Sequence, residues 1–89
     1  MNDIKEVLEQ RGSRYGTIEQ NADLCQGLLR IVSESEQWAS LSDVHKEVIH
    51  MIFHKLSRMI SGDQWYDDNS IDIEGYAHLL TEYIQEHNK

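Results

Sequence analysis

The segment Ser42–Ile60 constrains the fold of this chain more than any other part of it. Its apolar residues Val44, Val48, Met51, Ile52, Leu56 and Met59 recur at the spacing that one face of an α-helix repeats, about 100° per residue, and form a wide arc that other elements must cover. Beside that arc run Asp43, Glu47, His50, His54 and Arg58, a stripe of carboxylates, imidazoles and one guanidinium bordering the core. Such a stripe can hold a divalent cation or a polar ligand, or it can face water as an ordinary charged surface.

The remaining segments read as further helices, so the expected fold is all-α: a compact bundle of about four helices in a single domain spanning residues 1–89. The first segment, Asn2–Gln10, sets Ile4, Val7 and Leu8 on one side and is expected to end near Gly12. Arg11 to Gly16 then reads as a loop in which two glycines flank Arg14 and Tyr15, either a structural turn or a ligand contact. Thr17 followed by Gln20 matches a capping box, which predicts a second helix to about Ser33 with Ile18, Ala22, Cys25, Leu28, Leu29 and Val32 on its apolar face. Asn21 falls within that face, where an unpaired amide costs roughly 1–3 kcal/mol; it either ties down the neighbouring loop or lines a pocket.

Glu34–Leu41 is a connection holding Trp38, read as a core or lid aromatic, and Ser42 caps the third helix. Lys55 lies within that helix's apolar arc, where it either snorkels outward or presents its ammonium to an anion. After a polar turn, Asp68 or Asn69 is expected to cap a fourth helix running to about Glu86 and burying Ile73, Tyr76, Ala77, Leu80, Tyr83 and Ile84. Gly75 costs that helix roughly 1 kcal/mol relative to alanine; it either marks a close approach of another backbone or is a tolerated surface glycine.

Sixteen acidic against eight basic residues give a net charge of −8, which disfavours duplex nucleic acid as a partner. The acidity fits a soluble protein, a divalent-cation site, or a protein that imitates the charge of nucleic acid to occupy a partner's basic groove. A single cysteine, Cys25, excludes a disulfide framework and a thiolate zinc cage within one chain. No segment has signal-peptide or membrane-spanning character, so a cytoplasmic location and no membrane partner are expected. A chain this short buries a small fraction of its surface, and a homo-oligomer is expected.

Glu47, His50 and His54 are spaced to reach one centre. Glu47, Asp72 and one of Asp68 or Asp43 would suit magnesium, while the imidazoles suit zinc, manganese or proton transfer. His50 and His54 lack the intervening glutamate of zinc proteases, and no Walker loop, dinucleotide fingerprint or activated nucleophile is present. Asn21, the Glu47/His50/His54 group and Asn69/Asp72 all set polar groups on or beside apolar faces. A polar cavity between helices would bring them together.

The string Tyr15-Gly16, Asn21-Ala22, Trp38, Leu41, Glu47 to Lys55, Arg58, Gly62-Asp63, Tyr66-Asp67-Asp68-Asn69, Asp72-Ile73 and Gly75-Tyr76-Ala77 resembles a family of small helical phage and prophage proteins. That resemblance implies a viral origin and supplies no activity. In layout, Glu47-x-x-His50 and Asn69-x-x-Asp72 are also similar to the paired acidic motifs of MazG-like all-α nucleotide pyrophosphohydrolases, with His50 and Asn69 in place of two of the four carboxylates.

Three functions follow as expectations. In a metal-dependent nucleotide pyrophosphohydrolase, Glu47, His50, His54 and Asp72 would be catalytic, and Glu47, His50 and Asp72 would hold magnesium or manganese. Arg14, Lys55 and Arg58 would meet phosphates, and Tyr15 or Tyr76 the sugar or base, with Asn21 and Asn69 lining the pocket. The same pocket without turnover would sequester a nucleotide, such as a host defence signal. The third expectation is an acidic inhibitor of a host defence protein.

Overall fold

A computed structural model describes residues 3–89; the expected helix start at Asn2 lies outside them. Those residues form four α-helices and no strand: α1 (Ile4–Tyr15), α2 (Ile18–Ser33), α3 (Asp43–Ser61) and α4 (Asp68–His87), with a 3₁₀ turn at Trp38–Ser40 between α2 and α3. Local chemistry places the starts of the first three. Asp3 Oδ1 accepts from the Glu6 amide at 3.1 Å, and Ser42 Oγ accepts from the His45 amide at 3.1 Å. At α2 the capping box is complete: Thr17 Oγ1 accepts from Gln20 N at 3.1 Å and Gln20 Oε1 from Thr17 N at 3.0 Å. Each pairs backbone donors that the helix itself leaves free.

Two boundaries differ from the sequence reading. α1 does not end near Gly12 but continues to Tyr15, so Arg11, Arg14 and Tyr15 project from a helix and not from a loop. Gly12 is merely a weak helix former; the break comes at Gly16, where φ is 80°. At α4 the cap is Asp67, without a side-chain cap bond, and Asn69 lies inside the first turn.

α3 is the centre of the molecule, packed between α2 and α4, while α1 touches it over a smaller area. The short turn between α3 and α4 makes them antiparallel neighbours, and no helix among the described residues is long and apolar enough to cross a membrane. Two glycines join the end of α1 to the end of α3. A Cβ on Gly16 would lie 2.5 Å from Ser61 Cβ, and one on Gly62 would overlap the Arg14 carbonyl and sit 2.6 Å from Tyr15 N. The Asp63 amide, next to Gly62, donates to Arg14 O at 3.0 Å. Only glycine permits this backbone-on-backbone approach.

The buried residues are few and unusually polar. Among the described residues Cys25 and Val48 are the buried apolar side chains, alongside Asn21, Ser57 and Asn69, with Ser57 and Asn69 at 0% exposure. Ser57 Oγ donates to Phe53 O at 2.8 Å within its own helix. Ile18 shares the Cys25 face of α2 as expected but lies in its first turn, beside an open groove, and is 88% exposed. Ala22, Ala77, Tyr83 and Ile84 are also exposed and not buried as their periodicity suggested. The reason is the elongated shape, 51 × 27 × 23 Å: the outer parts of α2 and α4 have no second layer over them.

Candidate functional site

The clasp between α1 and α3 gathers positive charge and aromatic rings at one end of the molecule. The Arg58 guanidinium of α3 lies 3.8 Å from the centroid of the Tyr15 ring, and Arg11, one turn before Tyr15 on α1, reaches the same ring at 5.6 Å. Arg14 stacks over Tyr66 at 4.4 Å, and the Tyr15 and Tyr66 rings meet edge to face at 5.7 Å. Tyr15 Oη donates to Asp68 Oδ2 at 3.0 Å, which ties α1 to the first turn of α4 across 53 residues of sequence. Three of the chain's four arginines therefore converge on two tyrosines. Among the described residues none of the three is ion-paired to a carboxylate.

Beside this cluster, α1, α2 and α3 enclose an open groove of about 440 Å³. Arg11, Tyr15, Asn21, His54 and Arg58 give it polar walls, with Leu8 and Ile18 on its apolar side. Asn21 Nδ2 donates to the Tyr15 carbonyl at 2.8 Å, so it does tie down the α1–α2 junction. Its Oδ1 is buried without a partner.

Two titrations matter here. Burial, then the hydrogen bond to Asp68 and the contact with Tyr66, push the Tyr15 phenol up to about 12, so it stays a neutral donor. Burial holds His54 below its ordinary 6.5, reinforced by the charges of Arg58 and Lys55 and by His50. Its imidazole is thus neutral at pH 7. A base depressed on folding binds its proton more readily when unfolded, so its stabilising contribution is complete above 6.5 and declines as pH falls through 6.5 toward the folded value. Thermal unfolding between pH 7.5 and 5 should show this loss, and His54→Gln should flatten that part of the profile. An unchanged profile in the variant would remove His54 as its source.

The other expected site residues are placed elsewhere. Glu47 and His50 approach each other at 3.8 Å on the half-exposed flank of α3. Asp72 meets Lys55 Nζ at 2.9 Å, with the Lys55 side chain 12% exposed. Lys55 therefore neither snorkels freely nor offers its charge to a ligand. Along α3, Glu47 lies eight residues and His50 five residues before Lys55, about 12 and about 7.5 Å of axial rise, which sets both back from the Lys55–Asp72 pair. No three His, Cys, Asp or Glu side chains among the described residues form a metal-holding group. Asn69 is sealed in the core with Nδ2 and Oδ1 both unpartnered. Tyr76 lines a separate shallow depression on α4 with Ile71, Asp72, Gly75 and Leu79. Cys25 is buried, which raises its thiol and keeps it unreactive.

Leu8 and Ile18 of the groove, and Tyr66 beside it, are not ligand contacts in the sequence reading, and Arg11 enters it only as part of the loop. Arg11 was within reach, since an unbroken α1 sets it one turn from Tyr15. Nothing local signals Tyr66, which depends on how the α3–α4 turn folds back. Compared with family models, with curated proteins and with solved structures, the chain shows no significant match to any.

Proposed function

We propose that this chain binds a nucleotide-class ligand in the α1–α2–α3 groove and sequesters it without turnover. The observation that carries the reading is the convergence of Arg11 and Arg58, which line the groove, and of Arg14 beside it, on Tyr15 and Tyr66 in a chain of net charge −8, none of the three arginines being paired to a carboxylate among the described residues. Guanidiniums match phosphate oxygens through paired N–H donors. Tyrosine faces and the apolar side formed by Leu8 and Ile18 suit a base. A groove of about 440 Å³ is in the range of small-molecule sites. Asn21 and the neutral His54 supply direction-specific hydrogen bonding.

The reading favours binding over hydrolysis because no three His, Cys, Asp or Glu side chains among the described residues form a metal-holding group, and the Lys55–Asp72 pair engages the carboxylate that a MazG-like layout would give to magnesium or manganese. A homo-oligomer of phage origin, acting on a host nucleotide signal, is the biological form of this proposal.

The test is calorimetric titration with nucleoside triphosphates and cyclic nucleotides, with and without magnesium or manganese, followed by product analysis. Binding that needs no metal and leaves the ligand intact is the expected result. Pyrophosphate release that requires metal and is lost in Asp72→Ala would replace sequestration with the enzyme. No binding under any condition would overturn the nucleotide reading in favour of an acidic inhibitor of a host protein.

A further inference from the structure

The chain exposes far more surface than its mass explains. Its solvent-accessible area is 6791 Å², whereas a monomeric protein of 10.4 kDa is expected to expose about 5,400 Å². Its radius of gyration is 15.5 Å, against about 12 Å for a compact chain of this length. The excess, about 1,400 Å², is more than the roughly 800 Å² that each partner contributes to a standard stable interface. Among the described residues only Cys25 and Val48 are buried apolar side chains, while Ile4, Leu8, Ile31, Ile60, Ile71 and Leu79 are exposed.

We infer that a second copy of this chain covers the outer face of α4, crossing it at Gly75. Ile71 and Leu79 are 54% and 58% exposed, and their spacing sets them one turn to either side of Gly75 on a common face. No atom outside its own helix lies within 4 Å of where a Gly75 Cβ would be. The close backbone approach that would justify a helix glycine is therefore not supplied by this chain. A two-fold axis through Gly75 gives a self-complementary contact: in an antiparallel crossing, Ile71 meets the partner's Leu79, and Leu79 meets the partner's Ile71. The helices can come close because neither carries a side chain at the crossing point. Of the acidic groups bordering the face, Asp72 is ion-paired with Lys55, Asp68 accepts a hydrogen bond from Tyr15 and Glu82 contacts His78 within each chain. This contact is independent of the nucleotide groove, which lies on α1, α2 and α3.

The test is sedimentation equilibrium of the full chain, run beside Gly75→Gln and Leu79→Glu. The wild type should sediment at twice 10.4 kDa at micromolar concentration. Gly75→Gln favours the isolated helix, so the monomer's midpoint of thermal unfolding should rise, while the dimer's Kd weakens at least tenfold. The opposite signs separate an interface effect from a folding defect. Leu79→Glu should give a monomer with unchanged helical circular dichroism. A wild-type monomer at 100 μM, or an assembly that neither variant weakens, would overturn the proposal; nucleotide binding is measured separately and survives either outcome.

Discussion

Gly62→Ala should be the most damaging small substitution in the chain. The added Cβ would overlap the Arg14 carbonyl and lie 2.6 Å from Tyr15 N, and both are backbone atoms held at the end of α1. Neither can swing aside as a side-chain tip could, so α1 and α3 must separate. Overpacking of this kind costs about 2–3 kcal/mol, which for a domain of this size lowers Tm by roughly 10–20 °C. The hydrogen bond from Asp63 N to Arg14 O would go with it, and Arg11 and Tyr15 would leave the groove, so ligand binding should fall in parallel. Gly12→Ala is the matched control. Nothing lies within 4 Å of its Cβ position, and α1 continues through it, so the same methyl should stabilise by about 0.5–1 kcal/mol. Differential scanning calorimetry of the pair decides the matter: a Gly62→Ala protein melting within 2 °C of wild type would mean that the clasp does not hold the two helices together.

Arg58→Ala should have the largest effect on binding. Arg58 comes from the central helix, reaches within 3.8 Å of the Tyr15 centroid and lines the groove, and no carboxylate among the described residues pairs with it. A charge-assisted hydrogen bond to a ligand contributes about 1.5–3 kcal/mol, so its loss should weaken nucleotide binding by roughly ten- to a hundredfold. Part of the change is structural, because the stacking on Tyr15 is itself worth about 0.5–2 kcal/mol. Arg58→Lys separates the contributions: it keeps the charge but loses the planar fork, and should recover only part of the affinity. Glu47→Gln, about two turns before His54 on α3 and not among the residues lining the groove, should bind as the wild type does. Calorimetry on the three variants is the check, and an Arg58→Ala protein with wild-type affinity would move the ligand away from this groove.

These expectations depend on residues whose roles were unequally visible before the fold was known. Asn21, His54 and Arg58 are legible as candidates because each is a polar group on or beside a predicted apolar face, Arg14 and Tyr15 because two glycines flank them, and the structure brings all five to the α1–α3 end of the molecule. Lys55, Asn69 and Asp72 carried the same signal and are used otherwise. Lys55 and Asp72 neutralise each other, and Asn69 is enclosed without a hydrogen-bond partner. Periodicity marks a polar group near a core; it does not say whether that group faces a cavity, a counter-charge or the interior.

Sequence alone determined the helices. The capping box at Thr17, the Ser42 cap and the apolar arc of α3 act within three or four residues, through hydrogen bonds and side-chain spacing that require no distant partner. The length of α1 was misjudged because Gly12 is only a weak interruption, whereas Gly16 is a true one, and the difference lies in what each glycine faces. Tertiary structure alone decided the site: Gly16 against Ser61, Gly62 against Arg14, Tyr15 against Asp68 and Arg58 against Tyr15 each join groups more than 40 residues apart. Such contacts depend on the register and crossing of whole helices, which local chemistry does not encode.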